Sequence, residues 1–154
     1  MAGSCGTCTA CCKIFPLPHL NKKANTWCVH CDVGKGCKIY ETRVGACRTF
    51  ECVWLVSQTR EEAMPEELRP DKSKVVFSGT TNEWIIAATT MDGYPLAWRE
   101  KGVRGIIKAM VIAGYTVVVG PSGSLRKTMI DMKGEREVTL SEPDENGMQW
   151  GENP

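Results

Sequence analysis

The stretch Cys5-Gly6-Thr7-Cys8-Thr9-Ala10-Cys11-Cys12 holds four of the nine cysteines of the chain. The other five follow at positions 28, 31, 37, 47 and 52, and no cysteine comes after them. Thiolates are soft ligands, and several of them held close together select zinc, iron or an iron–sulfur cluster. Because the first third of the chain has few aliphatic residues, we expect metal binding to supply much of its folding free energy.

The spacing of the cysteines indicates how they reach a metal ion. A C-x-x-C pair lets two sulfurs converge on one ion from a tight turn, and Cys5–Cys8 and Cys28–Cys31 are two such pairs. Nine sulfurs suffice for two four-coordinate sites; the alternative is one four-cysteine site, with the other thiols structural or reactive. His19 and His30 are possible additional ligands. The predicted metal ligands are Cys5, Cys8, Cys11, Cys12, Cys28, Cys31, Cys37, Cys47 and Cys52.

Composition and charge restrict the function classes. The net charge is +1, so no global field attracts the chain to nucleic acid or to a membrane surface. No apolar run approaches the roughly 20 residues that a membrane span needs, and the first residues lack the features of a signal peptide. We therefore expect a reducing cytoplasm, where clustered cysteines bind metal more often than they form disulfides. The odd number of cysteines agrees, since they cannot all pair.

The pattern after the cysteines predicts an α+β fold. We predict a loop-rich, metal-stapled module over residues 1–56, a connector over 57–72, a small α+β domain over 73–140 and a flexible acidic tail over 141–154. In the α+β domain, alternating and β-branched runs predict six strands, and one amphipathic helix interrupts them. The expected architecture is a small antiparallel sheet with this helix packed on one face. The predicted elements are strands at 74–78, 83–89, 94–99, 115–119, 125–132 and 136–140, and a helix over 99–113.

The cysteine-rich segments also resemble a known family. Their order and gaps are similar to those of the YkgJ-like CxxCxxCC cysteine-cluster family, bacterial proteins described as zinc- or iron-chelating. One departure is Val44, because the family usually has proline after the arginine that corresponds to Arg43. The resemblance implies metal binding at these cysteines. Flagellin lysine methylases carry a similar cluster, which implies an iron–sulfur enzyme as an alternative. The segments that carry the resemblance are 5–12, 27–31, 36–43 and 47–55.

Three other motifs favour ordinary structure. Trp27-Cys28-Val29-His30-Cys31 is similar to a thioredoxin-type redox motif, but a turn follows it where that chemistry needs a helix. Gly120–Thr128 resembles a phosphate-binding loop, but Leu125 stands where the motif needs glycine, which predicts a hairpin turn. Lys101, Arg104 and Lys108 are typical of a solvated helix face.

These observations predict a metal-binding protein. Zinc in a structural or chelating role is the first choice, because closed four-thiolate sites are typical of structural zinc. The first alternative is an iron–sulfur protein with redox or methyl-transfer activity, and the second is a metal-shaped module that binds an unknown protein partner. We predict no catalytic residue, and an enzyme is the less favoured reading. Arg43 and Arg48 are candidates to balance thiolate charge, and Tyr40, Phe50 and Trp54 to pack beside the site.

Overall fold

A mixed β-sheet follows the cysteine-bearing segment in the computed structural model, which describes residues 5–142 and the backbone of residues 151–152. The cysteine-bearing segment contains short helices and one small β-ribbon. The helices are α1 (Ala10–Ile14), α2 (Gly45–Thr49), α3 (Val53–Ser57), α4 (Pro70–Ser73) and α5 (Lys101–Ile112), with 3-10 helices at Pro18–Leu20, Tyr40–Thr42, Glu66–Leu68 and Ala97–Arg99. The strands are β1 (Cys31–Asp32), β2 (Gly36–Cys37), β3 (Val75–Gly79), β4 (Ile85–Thr90), β5 (Thr116–Pro121), β6 (Arg126–Asp131), β7 (Gly134–Leu140) and β8 (Gly151–Glu152).

The large sheet confirms the α+β class but is not wholly antiparallel. Its six strands lie in the order β3-β4-β5-β6-β7-β8, and every neighbouring pair is antiparallel except β4 and β5. The parallel pair places Ile85 beside Thr116 and Ala88 beside Val119. The chain passes between these strands through helix α5, because parallel neighbours need a long crossover connection. The all-antiparallel prediction is wrong at this one pair.

The strand predicted over 94–99 is also wrong. After Asp92-Gly93 the chain forms turns and the 3-10 helix Ala97–Arg99. Both edges of β4 are already paired, with β3 on one side and β5 on the other, so no position is left for a hairpin partner. Trp98 is instead buried in the main core, and this burial compensates for the lost strand pairing.

Helix α5 covers one face of the sheet, as its periodicity predicts. Val103, Ile107 and Val111 are buried at helical spacing, and they share a core with Val117 and Val119 of β5. The polar side of the helix is exposed at Lys101 and Lys108. Arg104 forms an ion pair with Glu135 of β7. The turn after β5 is a hairpin that leads directly into β6, which confirms the prediction for this glycine- and serine-rich segment.

A second core joins the cysteine-bearing segment to the opposite face of the sheet. Ala10 and Ile14 of α1 pack with Val76 of β3 and with Met91. Side chains alternate along a strand, so Val76 points away from the core that its neighbours Val75 and Phe77 share with α5. The predicted domain boundaries stay a prediction, and this shared core shows direct packing across them.

Two further features concern the chain end and membranes. Strand β8 pairs with Thr139 and Leu140 at the sheet edge, within the segment predicted as a flexible tail. Of the tail predicted over 141–154, residues 143–150 and 153–154 lie outside the described residues. Among the described residues, no helix combines the length and apolar character needed to cross a membrane.

The packing of α5 gives a direct test of the main core. Ile107 is 2% exposed, whereas Ile112 in the same helix is 68% exposed. Ile107→Ala is expected to lower the free energy of unfolding by about 2–5 kcal/mol, because it removes buried methyl groups and leaves a cavity. Ile112→Ala is the matched control, with an expected change within about 0.5 kcal/mol. Denaturant unfolding measures both, and equal losses would contradict the assigned helix face.

Candidate metal centre

One cavity of about 490 Å³ brings together all nine cysteines. Each of them is partly buried, and each is a free thiol. The cysteines span nearly a third of the chain, yet every one of them lies in the wall of this space. The lining therefore includes the complete set predicted from the sequence: Cys5, Cys8, Cys11, Cys12, Cys28, Cys31, Cys37, Cys47 and Cys52.

Local backbone geometry positions the first four cysteines. The Cys8 N–H donates to the Cys5 carbonyl at 3.0 Å, which closes a tight turn through Gly6 at φ +56°. Helix α1 then begins and carries Cys11 and Cys12. Adjacent positions on an α-helix point about 100° apart, yet both thiols line the cavity and their side chains are within hydrogen-bond reach of each other.

The second group, Cys28, Cys31 and Cys37, forms a tight C-x-x-C turn, called a knuckle below, and a two-stranded ribbon. The Cys31 N–H donates to the Cys28 carbonyl at 3.0 Å, and Cys31 is the register partner of Cys37 in the β1–β2 ribbon. The turn between the two strands passes through Gly34 at φ +75°. This ribbon confirms that a turn, not a helix, follows Cys31. The Cys28 N–H also donates to the Cys12 carbonyl at 3.0 Å, which ties the two groups together.

The last two cysteines come from two short helices. Cys47 lies in α2, and Cys52 is the residue that caps the N-terminus of α3. The Leu55 N–H donates to the Sγ atom of Cys52 at 3.5 Å. Cys8 and Cys52 both pack against the core that α1 shares with the sheet, so this part of the cavity wall is supported by the sheet itself.

Several thiols of the cavity wall hold their protons strongly. Burial raises the pKa of Cys8 to about 11, although backbone N–H groups of Ala10 and Asp71 act in the opposite direction. Burial also raises the pKa of Cys31 to about 12, with the neighbouring Cys12 adding to the effect. The pKa of Cys12 is raised first by its hydrogen bond with Cys11 and then by burial. A metal ion would have to displace these protons, since the thiolate is the ligand.

The sulfurs surround the cavity without converging on one point. Across the described residues, no group of three or more His, Cys, Asp or Glu side chains is arranged to hold a metal ion. The donor set nevertheless fits a soft metal, because nine thiols face one space. Binding would therefore either draw sulfurs inward or fill the cavity with a group larger than a single ion.

Other predicted neighbours divide between the cavity and the surface. His30 lines the cavity, whereas His19 is exposed in a 3-10 helix outside the lining. Arg43 lines it too, with its guanidinium 3.8 Å from the centre of the Tyr40 ring, whereas Arg48 is exposed and outside the lining. The aromatic residues predicted to pack beside the site all belong to the lining: Tyr40, Phe50 and Trp54.

Sequence reasoning missed one polar contact that supports the site. Arg69 makes a two-pronged ion pair with Asp71, at 2.7 Å for each bond, and its Nη2 atom donates to the Thr7 hydroxyl at 3.1 Å. This pair holds the first knuckle against α4. The Arg-Pro-Asp spacing gives no sign of it, because the contact with Thr7 joins positions far apart in the chain.

Comparisons with family models, with curated proteins and with solved structures found no match to this chain. The likeness of the cysteine pattern to the YkgJ-like family therefore stays a prediction.

The raised thiol pKa values predict how the stability of the reduced, metal-free protein depends on pH. Cysteines in the unfolded chain ionise near pH 9, whereas Cys8 and Cys31 in the folded chain hold their protons to about 11 and 12. Stability is therefore expected to be full below about pH 9 and to fall as the pH rises toward 12. Thermal unfolding across this range measures it. A Cys8→Ala/Cys31→Ala variant is expected to lose less stability, and an equal loss would contradict the assignment.

Proposed function

We propose that this chain binds a soft metal centre through cysteine thiolates in the cavity. The observation that supports the proposal most is that nine cysteines, scattered over three sequence groups, all line one space. Isolated free cysteines normally behave as small buried hydrophobic residues, and nothing in that role requires them to share a cavity. A cytoplasmic location agrees with this proposal, since a reducing compartment keeps such thiols free.

Zinc in a structural or chelating role is the first candidate. Four thiolates close a tetrahedral zinc site, and nine allow two such sites with one sulfur left over. The cavity wall is built from turns and short helices, which can shift inward as the sulfurs take up bonds of about 2.3 Å. On this proposal the centre stabilises the cysteine-bearing segment, and no catalytic residue is assigned.

An iron–sulfur cluster is the second candidate, and the cavity volume favours it. A closed four-thiolate zinc site needs little space between its sulfurs, whereas the cavity that all nine cysteines line has a volume of about 490 Å³ and so has room for a larger group. A cluster brings its own bridging sulfides and so spans sulfurs that stand farther apart. The chemistry it would supply is electron transfer, which leaves open the redox or methyl-transfer activity considered from the sequence.

A metal-shaped surface for a protein partner is a third candidate. Val29 and Val33, at 76% and 53% exposed, lie on either side of strand β1, and Trp27 beside them is 40% exposed. Exposed apolar groups held by a rigid ribbon are typical of contact surfaces. This role is compatible with either metal, because it needs only that the metal shape the ribbon.

Purification under anaerobic, reducing conditions with metal and sulfide analysis tests the proposal. About one or two zinc ions per chain, in a colourless protein that a chelator unfolds, is expected for the first candidate. Brown protein with stoichiometric iron and sulfide would select the second candidate. A chain that binds neither zinc nor iron under these conditions would contradict the metal proposal as a whole.

Paired variants test whether the cavity cysteines are the ligands. Cys28→Ser/Cys31→Ser is expected to lose at least one metal equivalent, because it removes both sulfurs of one knuckle. Thr26→Ser is the matched control in the same loop, where the exposed hydroxyl only donates to the Lys23 carbonyl. Metal content after dialysis measures the difference. Unchanged content in the double variant would remove this knuckle from the ligand set.

A further inference from the structure

A buried lysine lies behind the wall of the cysteine cavity. Lys22 is only 8% exposed. Its Nζ atom donates to the backbone carbonyls of Lys13 at 3.0 Å, of Phe15, and of Lys23 at 3.4 Å. Fully buried lysines are rare unless an anion pairs with them, so this ammonium group requires an explanation.

Hydrogen bonds of the backbone and of the side chain both hold Lys22 in its position. Its backbone pairs with Leu17 through two hydrogen bonds, of 3.0 and 3.1 Å, across a short loop. Two of the carbonyls that it contacts belong to the last residues of the segment that carries Cys11 and Cys12. Phe15 and Leu17 line the cavity, whereas Lys22 does not, so its charge lies just behind this wall.

No carboxylate balances this charge among the described residues. The ion pairs of that part of the chain engage other cations, and none includes Lys22. Burial lowers the pKa of Lys22, and the groups that raise it are all cysteines: Cys28, Cys12, Cys11 and Cys47. Carbonyl dipoles satisfy the N–H donors but supply no net negative charge.

We infer that Lys22 is the buried counter-ion of an anionic metal–thiolate centre in the cavity, an inference that rests on the proposed function. The ammonium group has backbone carbonyls as partners and no carboxylate among the described residues. Four thiolates on one zinc ion carry a net charge of about −2, and a lysine just behind the cavity wall can balance part of it. A thiolate centre in the cavity would therefore supply the anion that this buried cation is missing.

The competing explanation is that Lys22 only holds the loop through its three hydrogen bonds. Two substitutions separate charge from hydrogen bonding. Lys22→Arg keeps the positive charge and the N–H donors, whereas Lys22→Gln removes the charge and leaves two N–H donors on a shorter side chain. Lys23→Gln is the matched control, because it changes the net charge equally at an exposed neighbouring position.

The test is a chelator competition for Zn²⁺ and for Co²⁺, whose thiolate complexes absorb visible light, using the full chain. Lys22→Gln is expected to weaken metal binding by roughly tenfold or more. Lys22→Arg is expected to stay within about threefold of the unchanged protein, and Lys23→Gln to bind like it. Equal affinity of Lys22→Gln and the unchanged protein would overturn the inference, while the metal proposal would stand. Failure of the unchanged protein to bind metal would overturn both.

The thermal stability of the metal-free protein gives a second test, because the inference and the loop-holding explanation expect different changes in the unfolding temperature. Lys22→Gln removes a buried charge that has no anion in this state, so metal-free Lys22→Gln is expected to unfold at a temperature no lower than the unchanged protein. The loop-holding explanation instead expects a lower unfolding temperature, because the shorter glutamine side chain cannot keep all three hydrogen bonds to the carbonyls of Lys13, Phe15 and Lys23. A Lys22→Gln variant that is destabilised or unfolded without metal would therefore contradict the inference.

If the chain carries an iron–sulfur cluster, the same inference predicts the direction in which the reduction potential of the cluster changes. A nearby cation favours the reduced, more negative state of a cluster. Lys22→Gln is then expected to lower the reduction potential, with Lys22→Arg and Lys23→Gln close to the unchanged protein. A potential that rises or does not move in Lys22→Gln would overturn the inference.

Discussion

Helix α1 must bury two different faces at once, and the arrangement of the whole site depends on this constraint. Ala10 and Ile14, one helical turn apart, pack against Val76 of the sheet. Cys11 and Cys12, between them in sequence, line the cavity. A helix of five residues has little intrinsic stability, so its orientation comes from the apolar contact with the sheet. That contact sets where two of the nine thiols stand.

The other cysteines are placed by reference to this helix. The hydrogen bond from Cys28 to the Cys12 carbonyl brings the second knuckle alongside the first group, and the Gly34 N–H reaches the Thr9 hydroxyl at 3.1 Å. Cys8 and Cys52 lean on the same core as α1. The site is thus connected to the sheet on one side and is built from turns and short helices on the other.

Burial disfavours charge both on the thiols of the cavity wall and on Lys22. Burial raises the pKa of Cys8 and of Cys31, because ionising a thiol in a low-dielectric wall is costly. Lys22 is buried behind the same wall, and its side-chain partners among the described residues are backbone carbonyls. If metal ions replaced the thiol protons, the resulting thiolates would give the wall a negative charge that could pair with Lys22. Metal binding, local charge and the order of the cysteine-bearing segment would then be coupled in a single equilibrium.

Much of the fold follows from local patterns, and the errors arise where pairing is non-local. The periodicity of Val103 and Ile107 predicted α5, and alternating runs predicted β3, β4 and the hairpin of β6 and β7. The segment over 94–99 has strand-like residues, but whether they pair depends on which edge of β4 is free. Helix α5 brings β5 to that edge, so Trp98 packs into the core instead. No local signal in the sequence encodes this competition.

The sequence by itself determined where the thiols lie and which pairs of them, Cys5–Cys8 and Cys28–Cys31, form C-x-x-C turns, because such a turn is set by neighbours along the chain. Only the tertiary structure decided that all nine thiols share one cavity, since their convergence depends on α1 packing against β3 and on a hydrogen bond between the two groups. It also decided that Lys22 is buried, whereas the sequence shows it only as one of two adjacent lysines. Burial is a property of the folded chain, and a charge removed from water is costly unless an anion pairs with it.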